Sequence, residues 1–283
     1  MLETLHIVLD LSIVVFIAGV LFVSGLEVTF EQVLTPLKNR SLVARALLAN
    51  VVLAPLLVYA GSIVFPLEGP FMIGVLLYGF ASGAPYTPKL VAVAAGDVPS
   101  SIGITILLTI LTILYMPFVL PYLVPGTVIG VWEIGKPLLL QMFVPLMIGL
   151  GVRHFAPRAA ARTLKPANVL VNASLLVFLV LALLLHHEAL LATAGTGAVS
   201  FAVVLTLLTF ALGYLLGPGG EKGKVTLGLA TTARNIGAAA TIATANFGDE
   251  PEVLITIAVC MFVVFALAFP VAKLYFNKRL SVR

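Results

Sequence analysis

Hydrophobic residues gather along this chain in blocks of about 20 and do not alternate with polar ones at a strand or surface-helix period. The blocks lie at about 4–26, 41–65, 70–95, 99–122, 130–153, 165–186, 193–216, 224–246 and 252–276. Each comes close to the roughly 20 apolar residues that carry a helix across a bilayer. The pattern predicts an all-α polytopic membrane protein: nine transmembrane helices with short connections, one transmembrane domain over 1–283 and no soluble module. The first block is too long for a cleaved signal peptide, and residues 1–10 hold no Lys or Arg to form a basic leader.

Two of the nine blocks carry polar groups at mid-span. In 228–251 these are Thr231, Thr232, Arg234 and Asn235, with Gly237 behind them. In 79–99 the middle holds Pro85, Thr87, Pro88 and Lys89. Each proline removes a backbone donor and disfavours helix at the residue before it, so Pro85 and Pro88 predict unwinding, with Gly237 as the matching break in the second stretch. The alternative is a simple proline kink. An arginine in hydrocarbon costs about 2.5–3.5 kcal/mol on insertion scales, so Arg234 must face protein, water or a ligand.

The two stretches echo one another. Both begin Gly-apolar-Ala-Ser/Thr, hold one cation, and end Gly-Asp-x-Pro, at Gly96 to Pro99 and Gly248 to Pro251. Interrupted spans at matching places in two halves are the sequence mark of a transporter binding site. The echo predicts inverted repeats over about 4–122 and 165–276, separated by a spacer helix at about 130–153. The broken helices would cross near the midplane.

Composition and charge set the orientation. Residues are 61% hydrophobic and 10% charged, far from the ~25% charged residues of a soluble domain. The net charge of +4 reflects topology rather than nucleic-acid binding, and no nucleic-acid partner is expected. Lys38, Arg40, Arg45, Arg153, Arg158, Arg162, Lys165, Lys222, Lys224, Lys273, Lys278, Arg279 and Arg283 all fall on one side if the N-terminus is outside. The opposite side holds Lys136 and most of the acids: Glu3, Glu68, Glu188, Asp249, Glu250 and Glu252. By the excess of cations inside, the chain reads as a multi-pass protein of the cell (inner) membrane with a cytoplasmic C-terminus. Lys89 and Arg234 are the two cations that this pattern leaves over.

The lone Cys260 excludes a disulfide framework or thiolate cluster. His186 and His187 are adjacent, so they point apart at a span end and make a poor metal pair. No nucleophile–base constellation is present, so an enzyme is not expected. Asp10 reads as an interfacial residue near the outer end of its span. Asn172 either faces a cavity or joins two helices.

With these features in order, the chain resembles the bile acid:sodium symporter family along nearly its whole length. Gly25 and Leu26 before a short amphipathic connection, Asn50 with Pro55, and the two Gly-Asp segments carry the resemblance. It implies a nine-span form with a core domain of spans two, three, four, seven, eight and nine. Spans one, five and six would form a panel that moves against it. It also implies sodium sites at Thr87, Ser101 and Thr105 and at Asn50, beside Thr231 and Asn235. Hydroxyl and carbonyl oxygens suit a hard cation. The chain departs from the family at Pro88, Ala230 and Arg234, which stand where an Asn, a Glu and a Gln are the family's ion ligands. Two unit charges ~5 Å apart repel by roughly 3 kcal/mol at an effective dielectric of 20, enough to weaken Na+ binding more than a hundredfold. Fixed cations are therefore expected to replace one or both sodium ions.

The resulting expectation is a secondary transporter of a small organic anion in the lipid bilayer. Arg234, Asn235, Lys89, Thr87, Thr232 and Asn172 would line the substrate site, with no cofactor and Na+ as the candidate coupling ion. Proton coupling, no coupling, or a non-transporting sensor or scaffold of the same fold are the alternatives. The structural alternative for Arg234 is a salt bridge or a cap on broken-helix carbonyls. Oligomeric state is not legible.

Overall fold

The computed structural model describes residues 2–65, 67, 69–123, 130–188, 193 and 195–277. Glu68, Lys278, Arg279 and Arg283, which enter the charge argument, lie outside them. Helices are α1 (Leu2–Glu27), α2 (Phe30–Leu37), α3 (Arg40–Val64), α4 (Gly69–Phe80), α5 (Thr87–Val93), α6 (Val98–Leu123), α7 (Val131–Phe155), α8 (Pro157–Leu185), α9 (Ala198–Leu216), α10 (Gly220–Thr232), α11 (Ile236–Asn246) and α12 (Pro251–Pro270). Among the described residues, seven helices are long and apolar enough to cross a membrane: α1, α3, α6, α7, α8, α9 and α12. The chain is therefore an all-helical, multi-pass membrane protein.

The third and eighth hydrophobic blocks are each two short helices. α4 and α5 flank residues 81–86, and α10 and α11 flank residues 233–235. α8 begins at Pro157, earlier than the hydrophobic block at 165–186, because Arg158, Arg162 and Lys165 sit on a helical extension of it.

Apolar surface is turned outward, the reverse of a soluble protein. On α3, Leu48, Val52, Leu56, Tyr59 and Ile63 form an exposed stripe at helical spacing. Val169, Leu170, Leu176, Val177, Val180 and Leu184 do the same on α8. Such stripes are the faces that lipid covers.

Two of the long helices contain wide turns next to a proline. Leu48–Leu53 precedes Pro55, and Leu139–Phe143 precedes Pro145. A proline lacks the N–H and crowds the carbonyl one turn back, and a locally widened helix relieves both. At the first turn the Ala54 N–H goes to the Ala49 carbonyl. The Asn50 carbonyl would next need a donor at position 55, which is proline. That carbonyl is left free for a partner elsewhere.

α1 packs against α7 and α8 along much of its length. At the α1–α7 contact the two backbones touch. A Cβ on Gly25 would lie 2.5 Å from the Leu146 carbonyl oxygen, and one on Gly149 would lie 2.2 Å from that of Phe22. The amphipathic connection expected after Leu26 is α2, started by Thr29 and Gln32 in a reciprocal cap.

Candidate functional site

The two interruptions lie against each other and are hydrogen-bonded together. The Asn235 backbone N–H donates to the Ala81 carbonyl at 2.8 Å, and the Asn235 Nδ2 donates to the Gly83 carbonyl at 3.0 Å. The same side chain accepts from the Ala238 N–H at 3.1 Å and so caps α11. One buried amide thus starts the second half-helix and closes the junction. Gly83 takes φ +79, and a Cβ there would lie 2.3 Å from the Thr109 nitrogen, so α6 passes directly over the first break.

Unwinding at 81–86 frees carbonyls that must be paired in the membrane interior. α6 supplies the donors. The Thr109 hydroxyl donates to Gly83 O at 2.7 Å and the Thr112 hydroxyl to Ser82 O at 3.0 Å, while the Tyr115 hydroxyl donates to Phe80 O. Thr112 Oγ1 also accepts from the Ser82 N–H at 3.0 Å. Besides Ser101 and Thr105, expected on this face, the junction uses Thr109, Thr112, Tyr115 and Ser82, which were not expected there. The signal was present: hydroxyls at 101, 105, 109 and 112 follow the i, i+4 and i, i+3 rows of one helix face.

Arg234 is buried, at 1% exposure, and is the largest of the fully buried side chains. Its Nη2 donates to the Thr231 carbonyl at 2.6 Å and its Nη1 to the Ser82 hydroxyl at 3.2 Å. The Ser82 hydroxyl in turn donates to the Asn50 carbonyl at 3.0 Å, the acceptor that Pro55 leaves free. Asn50 Nδ2 donates to Ala46 O at 3.0 Å and to Thr231 Oγ1 at 3.1 Å. Among the described residues no carboxylate pairs with Arg234. The cavity beside its side chain, lined by Tyr78, Thr206, Thr209 and Thr232, has a volume of only about 10 Å³.

A roomier cavity of about 100 Å³ lies between α1, the first break and α6. Leu21, Ser24 and Glu27 of α1, with Val28 just after it, form one wall; Pro85, Pro88 and Lys89 face them; Ile102, Thr105, Ile106 and Thr109 close the back. Lys89 Nζ is 3.7 Å from Glu27 Oε1, with the Lys89 side chain 68% exposed. A second cavity, about 460 Å³, opens at the other end of α1 among His6, Asp10, Gln141, His186, Thr244 and Glu250. The His6 and His186 rings there have centroids 5.7 Å apart. Burial and the neighbouring His6 push the His186 imidazole below its usual pKa, against the pull of Glu252 and Asp10. Between the two cavities Ile17 and Leu21 of α1 approach Gly237, where a Cβ would lie 3.7 Å from Ile17 Cγ2.

Several expectations are revised by this geometry. Gly237 is not the break: the chain leaves the helix at 233–235 and Asn235 restarts it, so Gly237 already belongs to the first turn of α11. Pro88 lies in the first turn of α5, where a missing N–H costs nothing, and the break itself contains Pro85. Arg234 and Lys89 do not share one site, because Lys89 points into the open cavity while Arg234 is enclosed. Asn172 is exposed on α8 and lines neither cavity nor the junction. Thr232 makes only a long contact, 3.5 Å, with Thr206 O.

The implied sodium ligands can be tested against their surroundings. The Thr87 and Thr105 hydroxyls are buried with no hydrogen-bond partner, and Ser101 is engaged with Val98 O at 2.7 Å. Two orphaned hydroxyls have suitable oxygens and carry no charge. At the other set the guanidinium already holds the Thr231 carbonyl and the Ser82 hydroxyl holds the Asn50 carbonyl, while Asn50 Oδ1 has no partner. The set as a whole does not fit Na+.

Residues 14–194 match the family model described as Sodium Bile acid symporter family. No curated protein matches the chain.

Proposed function

The chain belongs to the sodium bile acid symporter family, and from that premise we propose that it is a secondary carrier of a small organic anion that works by alternating access. It is a transporter in this reading, not an enzyme. The seven long helices and the two interrupted ones make nine spans, arranged as two inverted repeats around the spacer α7. α1, α7 and α8 form the panel and the remaining spans the core. The N-terminus is outside and the C-terminus in the cytoplasm of the cell that bears it in its inner membrane.

One observation carries the reading: two cavities flank α1 at its opposite ends, and between them the buried Ile17 and Leu21 pack α1 against α11. A carrier needs such a pair, one facing each side, and a barrier between them. Relative motion of panel and core at that barrier would open one cavity at the expense of the other.

Lys89 is the group to which the anion binds. Among the described residues it is the one cation lining the Glu27 cavity, and the apolar walls from Leu21, Val28, Ile102 and Ile106 suit an anion with a hydrocarbon body. An entering carboxylate or sulfonate displaces Glu27 from Lys89, exchanging one ion pair for another. The hydroxyls of Thr105 and Thr109 and the nearby buried Thr87 complete the polar side. Counterflow uptake of a panel of organic anions into liposomes holding the purified protein tests the reading. Wild type accumulates at least one anion, and Lys89→Gln loses tenfold or more of that uptake. No uptake of any anion, or an unchanged Lys89→Gln, refutes it.

A further inference from the structure

The carrier reading above leaves the buried guanidinium without a task, and its surroundings define one. We propose that Arg234 is a tethered cation: it stands permanently where a sodium symporter would hold a mobile Na+, so that the junction is assembled, and the anion bound, without sodium.

Its donors are aimed at the oxygens that a monovalent cation would take. The Thr231 carbonyl, at 2.6 Å, terminates α10, and the Ser82 hydroxyl, at 3.2 Å, belongs to the break between α4 and α5. Arg234 therefore clamps one oxygen from each interrupted segment, as an ion bound at their meeting point would. The Asn50 amide reaches Thr231 from a third side. Asn50 Oδ1 and Arg234 Nε both lack protein partners.

Two other roles fit less well. Arg234 is shut away beside a cavity of about 10 Å³, at the lower limit for a single water, so an organic anion has no place against it. A purely neutral hydrogen-bonding role needs no charge: a glutamine would reach similar oxygens without the desolvation that a buried guanidinium without a carboxylate incurs. The charge is what distinguishes this side chain, and a fixed positive charge in a cage of neutral oxygens excludes a second cation.

The test is the melting temperature of the purified protein in NaCl against choline chloride at equal ionic strength, ~0.15 M. Wild type melts at the same temperature in both salts. Arg234→Gln, which keeps an amide and removes the charge, melts lower in choline and recovers at least half of the loss in Na+. A Na+-specific stabilisation of wild type overturns the proposal, and so does an Arg234→Gln protein that is indifferent to Na+. If Arg234→Gln does not fold, the wild-type comparison stands by itself, and Arg234→Lys, which retains the charge, stays indifferent to Na+. Absence of anion uptake in a protein that is indifferent to Na+ would sink the carrier reading and leave this one intact. Uptake together with Na+-specific stabilisation would do the reverse.

Discussion

Asn235→Ala measures how firmly the two interrupted spans are joined. The substitution removes the acceptor of the Ala238 N–H and the Nδ2 donor to Gly83 O, both in a fully buried setting. Loss of an N-cap costs ~1 kcal/mol on average, and an orphaned buried donor raises that toward ~3 kcal/mol. Gly83 O keeps the Thr109 hydroxyl as a partner, so the second loss adds only about 0.5–1.5 kcal/mol. The sum is roughly 2–4 kcal/mol, or about 5–15 °C of melting temperature at the few degrees per kcal/mol that hold for large domains. Asn235→Ser separates the two parts: its hydroxyl still caps α11 and no longer reaches Gly83. Thermal unfolding of detergent-solubilised protein, followed by tryptophan-independent far-UV dichroism, reads both variants. The serine variant should lose less than half as much as the alanine variant. An Asn235→Ala protein that melts within about 1 °C of wild type would show that the junction does not rest on this amide.

Two further outcomes concern the first break and the cavity at the other end of α1. Gly83→Ala forces an L side chain into φ +79, which costs about 1–2 kcal/mol before its Cβ meets the α6 backbone at Thr109; the variant should melt well below wild type, and a shift under about 2 °C would contradict the close crossing of α6 over the break. His186 titrates below its usual range in the folded protein because of burial and His6, so the unfolded chain takes up its proton first as pH falls. Stability should decline as pH drops through the ordinary histidine value toward the lowered one, and His186→Gln should flatten that decline in melting curves between about pH 7.5 and 5.

Much of the membrane architecture was legible because each long span is an uninterrupted apolar run, and because the polar, proline-bearing middles of 79–99 and 228–251 can exist in a bilayer only where protein covers them. Finer positions were set by groups whose effect lies off the local sequence. Glycine signals a break, yet the second break is placed by the capping amide of Asn235, two residues before Gly237. A lysine one turn after a break could turn either way, and the rotation of α5 puts Lys89 beside Glu27, a residue 62 positions earlier in number whose nearness only the packing of α1 decides. The hydroxyl face of α6 was visible as a spacing, but which carbonyls needed it became clear only once the unwound segment lay beneath it. The Asn50 and Pro55 pair is intelligible in the same way: the missing donor of one frees the carbonyl of the other.

The meeting of Gly25 and Gly149 has a mechanical consequence. Where main chain rests on main chain there are no side-chain rotamers to rearrange, and therefore no graded sliding. α1 and α7 behave as a riveted plate at that end of the molecule. Any rocking has to be taken up by the short links at its rim, such as the residues between α1 and α2, which makes those few torsions the place to look for variants that alter turnover and leave affinity untouched.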